Sequence, residues 1–116
     1  LHKGVDFNIE ANSHVYSPVF GKVVRIAAPY KSDDRFKGLV IEGLGRYEGY
    51  QIKLFYVDPH KEIVGRTVKQ GETIGTAQDL TIKYPSITNH VHFEITLNGE
   101  QIDPSRFLQE EALCKN

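Results

Sequence analysis

Short runs of alternating apolar and polar residues, each cut off by Gly, Pro, Asn or Asp, follow one another along this chain. No other feature restricts the fold as strongly. Side chains alternate across a strand with period two, whereas an amphipathic helix needs apolar residues three and four apart. Val5, Phe7 and Ile9 alternate with Asp6 and Asn8. Gly21 to Ile26, Leu39 to Glu42, Gln51 to Val57 and His90 to Leu97 are strand-like in the same way. Thr67-Val68 and Thr73-Ile74-Gly75 flank a tight turn at Lys69-Gln70-Gly71-Glu72, and Asn98-Gly99 is a hairpin signal ahead of Gln101-Ile102. Residues 30–37 are polar and charged and read as an exposed loop. The best helix candidate is 104–113, with Asp103 as N-cap and Pro104 at the first helical position. The expectation is an all-β fold, an antiparallel sandwich or sheet with a short C-terminal helix.

A length of 116 residues suits a single domain spanning 1–116, large enough to bury a core without covalent staples. Fourteen basic and 15 acidic residues give a net charge of −1, so the chain has no global field for nucleic acid or an anionic membrane. A partner has to be recognised at a local site. The single cysteine, Cys114, excludes an internal disulfide and a cysteine-rich zinc cluster, which leaves histidine and carboxylate as metal ligands. No apolar run reaches the length of a membrane span. The chain opens on Leu1-His2 within what reads as a strand, so the domain is expected to be excised from a longer chain.

Five histidines occur, at 2, 14, 60, 90 and 92. His2 and Asp6 are four residues apart and His90 and His92 two apart, so each pair lies on one face of its strand. The opposite faces are apolar, with Val5, Phe7 and Ile9 on one strand and Val91, Phe93 and Ile95 on the other. If the two strands are neighbours, three or four ligating groups converge, as a zinc site with an open position requires. A His-x-His pair also arises easily by chance, and the bland reading is surface or core histidines. Glu94 shares the face of His90 and His92, as an orienting partner or as a solvated charge. His14 reads as a surface residue.

These residues, in this order, resemble the lysostaphin/LytM-type zinc metallopeptidases. His2-Lys3-Gly4-Val5-Asp6 is similar to the family's H-x-G-x-D opening. Val15 to Val24 is similar to its V-x-A-P-x-x-G-x-V strand pair, Val68 to Gly75 to its V-x-x-G-x-x-I-G turn, and His90-Val91-His92-Phe93-Glu94 to its H-x-H-F-E strand. Asp103-Pro104, with Phe107-Leu108 after it, resembles the domain end. The resemblance implies an antiparallel β-sandwich with a groove over the central sheet. It implies zinc-dependent cleavage of peptide cross-links in peptidoglycan, by an extracytoplasmic protein expected to be a monomer with no membrane insertion. His2, Asp6 and His92 would be the metal ligands and His90 the catalytic histidine beside the water. Tyr56, Tyr84 and Asn89 are candidates for the substrate groove. Zinc with an open position brings a bound water to a pKa of about 7, and a histidine beside it orients that water or takes its proton.

One position departs from the pattern. Active members carry a histidine in a Tyr-x-His motif, where this chain has Tyr56-Val57-Asp58. An ionised carboxylate donates no hydrogen bond and repels a developing oxyanion. His60 lies two residues on, either as a substitute or as a loop residue. Leu54 to Pro59 and Lys83 to His92 look closer to the leukocyte cell-derived chemotaxin branch of this fold, which keeps the zinc site, lacks that histidine and is regarded as signalling protein rather than peptidase. Members of that branch are disulfide-bonded and this chain has one cysteine, so it reads as a bacterial or phage member. The competing expectations are a metalloendopeptidase, weakened by Asp58, and a non-catalytic zinc-stabilised module that binds a cell-surface ligand or signals.

Overall fold

The computed structural model describes residues 4–105. His2 and all but the first two residues of the helix expected at 104–113 lie outside the described residues. At that boundary Ser105 N–H donates to Asp103 Oδ1 at 3.0 Å, the hydrogen bond expected of Asp103 as an N-cap.

Among the described residues ten strands carry the fold: β1 (Val5–Asn8), β2 (His14–Tyr16), β3 (Gly21–Ala27), β4 (Gly38–Gly43), β5 (Tyr50–Phe55), β6 (Val57–Pro59), β7 (Thr67–Val68), β8 (Thr73–Ala77), β9 (His90–Leu97) and β10 (Glu100–Ile102). The larger sheet runs β1-β9-β5-β4-β3-β7, with β10 also paired to β9. The smaller runs β2-β8-β6. Every pairing is antiparallel. On one side β9 pairs with β5; its other edge is shared between β1 at its N-terminal half and β10 at its C-terminal half. Two distant ends of the chain therefore meet on one strand.

Val23, Leu39, Ile41, Ile52 and Ile95 of the larger sheet share a core with Val15, Val57, Ile74 and Ala77 of the smaller. The expected antiparallel sandwich is present, the small sheet covering one face of the large one. Complete burial of a side chain such as Ile52 or Ile95 contributes about 1.5–3 kcal/mol. In β9 the buried residues are Val91, Phe93 and Ile95, which turns His90, His92 and Glu94 to the opposite face.

Two local expectations change, and a third, the turn at Lys69–Glu72, forms as expected. Gln51 to Val57 is not one strand: Tyr56 adopts φ 69° and divides β5 in the large sheet from β6 in the small one. Tyr56 N–H and Val57 N–H both donate to Lys37 O, at 2.7 and 3.1 Å, which holds the corner. The Lys69–Glu72 turn forms, with Glu72 N–H donating to Lys69 O and Gly71 at φ 86°. It carries the chain from β7 to β8 in different sheets, because the apolar residues on either side serve different layers. The loop at 30–37 is not wholly exposed, since Phe36 is buried at 1% exposure. By contrast Asn98 and Gly99, at φ 51° and 87°, make the expected hairpin between β9 and β10. Among the described residues no helix is long and apolar enough to cross a membrane.

Candidate metal centre

The register of β1 and β9 sets Asp6 opposite His92. His92 Nδ1 lies 2.7 Å from Asp6 Oδ1, and His92 Nε2 lies 3.0 Å from Glu94 Oε2. His90 Nε2 lies 3.8 Å from Asp6 Oδ2, and His90 Nδ1 lies 3.0 Å from the carbonyl oxygen of Thr88, to which it donates as N–H. That bond leaves Nε2, in the neutral ring, as the nitrogen with a free lone pair on the Asp6 side. The Phe55 ring, opposite His92 in the β5–β9 register, stacks on the imidazole at 5.9 Å and 11°. Backbone crowding completes the seat: a Cβ on Gly4 would meet His92 Nε2 at 2.4 Å. Glycine at this position is what lets the ring lie against β1.

Both nitrogens of His92 face carboxylates. An ionised carboxylate only accepts, so each contact calls for positive charge or a proton on the ring, while a neutral imidazole carries one N–H. A metal cation at Nδ1 with the N–H at Nε2 meets both demands. The donor set is nitrogen and carboxylate oxygen, which suits zinc. Among the described residues no group of three or more His, Cys, Asp or Glu side chains comes together to hold a metal. They supply Asp6 and His92; the third expected donor, His2, lies outside them.

Beside this centre is a tyrosine cluster that the sequence only partly disclosed. The Tyr56 ring stands edge-on to His90 at 5.5 Å and 89°. The Tyr30 hydroxyl is hydrogen-bonded to both the Tyr56 hydroxyl, at 2.9 Å, and the Tyr84 hydroxyl, at 2.8 Å. Tyr30 was hidden in a loop read as exposed, and its flanking Tyr-Lys-Ser-Asp-Asp sequence carries no signal for this role. Burial and the bond to Tyr56 raise the Tyr30 phenol above its ordinary pKa, and the bond to Tyr30 raises Tyr84. Lys83 lies 5.1 Å from the centre of the Tyr30 ring and 3.6 Å from Asp33 Oδ2. Arg35 makes a two-pronged contact with Asp33 at 2.9 and 2.8 Å, and those bonds hold the Asp33 carboxyl well below the usual carboxylate range.

The remaining candidates are placed elsewhere. Asn89 uses its side chain on the backbone: Oδ1 accepts from Leu80 N–H, and Nδ2 donates to Ile9 O and Gln78 O. It clamps the 80–89 loop to the strands below it. Asp58 pairs with Thr76 in the small sheet and lines a cleft of about 190 Å³ with Asn12, Arg35 and Gln78. His60 is exposed; its backbone N–H donates to Ile74 O and its carbonyl oxygen accepts from Ile63 N–H. His14 is exposed on β2.

This sandwich carries paired histidine and carboxylate groups on the polar face of β9, an inner strand of its larger sheet. The chain belongs to peptidase family M23, whose model matches residues 1–104. It is 37% identical over 109 residues to leukocyte cell-derived chemotaxin-2 of Bos taurus, an alignment covering 93% of this chain and 66% of that protein. The chain thus spans just under two thirds of that relative's length. Among solved structures it is similar to the antimicrobial peptidase lysostaphin from Staphylococcus simulans, with TM-score 0.69 and 25% identity, over 95% of this chain and 44% of that one. It is also similar to a zinc-containing peptidase from Vibrio cholerae, with TM-score 0.63 and 27% identity, over 87% of this chain and 28% of that one.

Proposed function

We propose that this chain is a zinc metalloendopeptidase domain acting on peptide cross-links of peptidoglycan outside the cytoplasm. His2, Asp6 and His92 would hold the metal. The observation that carries this reading is the His92 imidazole set between Asp6 and Glu94, with His90 on the same face and its Nε2 turned toward Asp6. Zinc, when bound, supplies a nucleophile at neutral pH and polarises the scissile carbonyl. His90, fixed through Nδ1 by Thr88 O, takes a proton at Nε2 and returns it to the leaving amine. Tyr56 packs against the edge of His90 and limits its rotation, while Tyr84 forms a partly exposed wall of the groove. The domain is proposed to stand within a longer chain and to act as a monomer.

The test is release of new amino groups from purified cell walls by the zinc-loaded protein, measured against His90→Ala. Release by the wild-type protein alone is expected; equal release by both, or none across several wall chemistries, overturns the reading.

A second reading has its own support. Asp58 and His60 are carried on the small sheet and its loop, and among the described residues neither side chain is hydrogen-bonded or ion-paired to His90 or His92. The similarity to chemotaxin-2 fits a zinc-stabilised module that binds or signals without turnover. In that case chelation lowers the melting temperature and abolishes ligand binding, and walls are bound but not cut.

A further inference from the structure

The geometry points to Glu94 as a positioning residue that decides which nitrogen of His92 faces the metal. The inference rests on the zinc reading above and concerns a residue outside the expected ligand set.

An imidazole can bind a cation through either nitrogen, and the choice is set by what the other nitrogen does. Three groups restrict His92. Glu94 Oε2, 3.0 Å from Nε2, accepts its N–H. Gly4 brings the β1 backbone so close to Nε2 and Cε1 that even a methyl group would stand 2.4 and 2.5 Å from them, so no ligand enters from that side. Phe55, stacked at 11°, fixes the plane of the ring and opposes its rotation. Nδ1 is what remains, and it faces Asp6 Oδ1.

Glu94 is itself only half sheltered, with 27% of its side chain exposed, and its strand neighbour across the sheet is Lys53. Lys53 Nζ lies 5.8 Å from the centre of the Phe55 ring. Among the described residues no ion pair joins Lys53 to Glu94, so the carboxylate's side-chain partner is His92. A solvated surface charge would have no reason to hold a ring nitrogen at hydrogen-bond distance two residues away on the same strand face. The arrangement also places the negative charge where it raises the donor strength of Nδ1 through the ring.

The experiment measures zinc affinity by competition with a chromophoric chelator for the wild-type protein and for Glu94→Gln, Glu94→Leu and Gly4→Ala. Melting temperatures of the metal-free proteins report folding separately. Loss of the acceptor in Glu94→Leu is expected to weaken zinc by about 10–100-fold, with the metal-free melting temperature little changed. Glu94→Gln keeps an oxygen that accepts from Nε2–H, and its affinity should recover most of that loss. Gly4→Ala pushes the ring off its seat and should weaken zinc with Glu94 intact. Cobalt loading adds a spectroscopic readout, because the visible bands follow ligand geometry and should shift in Glu94→Leu. Wild-type affinity in Glu94→Leu, or Gln and Leu variants equally weakened, overturns the positioning role while leaving the zinc site standing. A wild-type protein that binds no zinc overturns both.

Discussion

Two regions of this molecule carry histidines, and they behave differently. On β9 the side chains of His90 and His92 are 14% and 27% exposed, and each ring is held on more than one side. In the turn after β6, His60 is exposed and is held through its backbone, which bonds Ile74 O and Ile63 N–H. The difference comes from the sheets. β9 is flanked by β1 on one side and β5 on the other, so its polar face receives Asp6 from one neighbour and Phe55 from the other. β6 belongs to a three-stranded layer reached through a left-handed corner at Tyr56, which sends Asp58 to a different cleft. A histidine becomes a site when strands on both sides supply partners.

The largest expected effect tests the first region directly. On the proposed reading His92→Ala removes an inner ligand and should weaken zinc binding by more than about 100-fold, since an outer-shell partner alone is worth about 10–100-fold. Competition with a chelator measures it, and retained binding would show that the β9 face is not the metal centre.

Next comes the contrast between histidines. In a wall-hydrolysis assay His90→Ala should lower kcat by about 100-fold or more, while His60→Ala leaves it within about twofold. A large loss in His60→Ala would bring the small-sheet turn into the site and erase the distinction.

The corner between the regions is tested by stability. Tyr56 holds φ 69°, where a Cβ is strained, so Tyr56→Gly should be more stable than Tyr56→Ala by about 1 kcal/mol, the reverse of the usual order. Tyr56→Phe removes one hydroxyl from the Tyr30 link and should cost about 1 kcal/mol. Urea melts of the three variants give both differences, and Ala above Gly would contradict the left-handed corner.

The smallest effect concerns the loop that delivers Tyr30. Asp33 has a depressed pKa in the folded protein because Arg35 binds its carboxylate. Its contribution is therefore complete above the unfolded-state value of about 4 and is lost as pH falls through the lower folded value. The melting-temperature gap between wild type and Asp33→Asn should be small and constant near neutrality and close below about pH 4. A gap that widens in acid would mean that the ion pair does not act as drawn.

Much of this was legible in the residues. Period-two alternation marks β1 and β9 and sorts β9 into an apolar and a polar face, whereas β4 buries Leu39, Val40 and Ile41 in succession and β3 breaks its alternation at a bulge between Val23 and Arg25. Asn98-Gly99 specifies its own turn, because both residues accept positive φ. The pairing of Asp6 with His92 was legible only as a condition, since strand pattern says which face a side chain takes and not which strand lies beside it. Nothing in Leu54-Phe55-Tyr56-Val57 announces that the chain changes sheets at Tyr56. Nothing in residues 30–37 announces that Phe36 enters the core and Tyr30 reaches Tyr56 and Tyr84.

What the sequence determined alone is therefore the local material: strands, turns, and a polar face on β9 bearing His90, His92 and Glu94. Those follow from interactions within a few residues of each other. What the tertiary structure decided is the company that face keeps. Asp6 arrives across 86 residues of chain, Phe55 from the other side, and Asp58 is carried away. Such contacts depend on how two sheets close over one core, and that is a property of the packed whole.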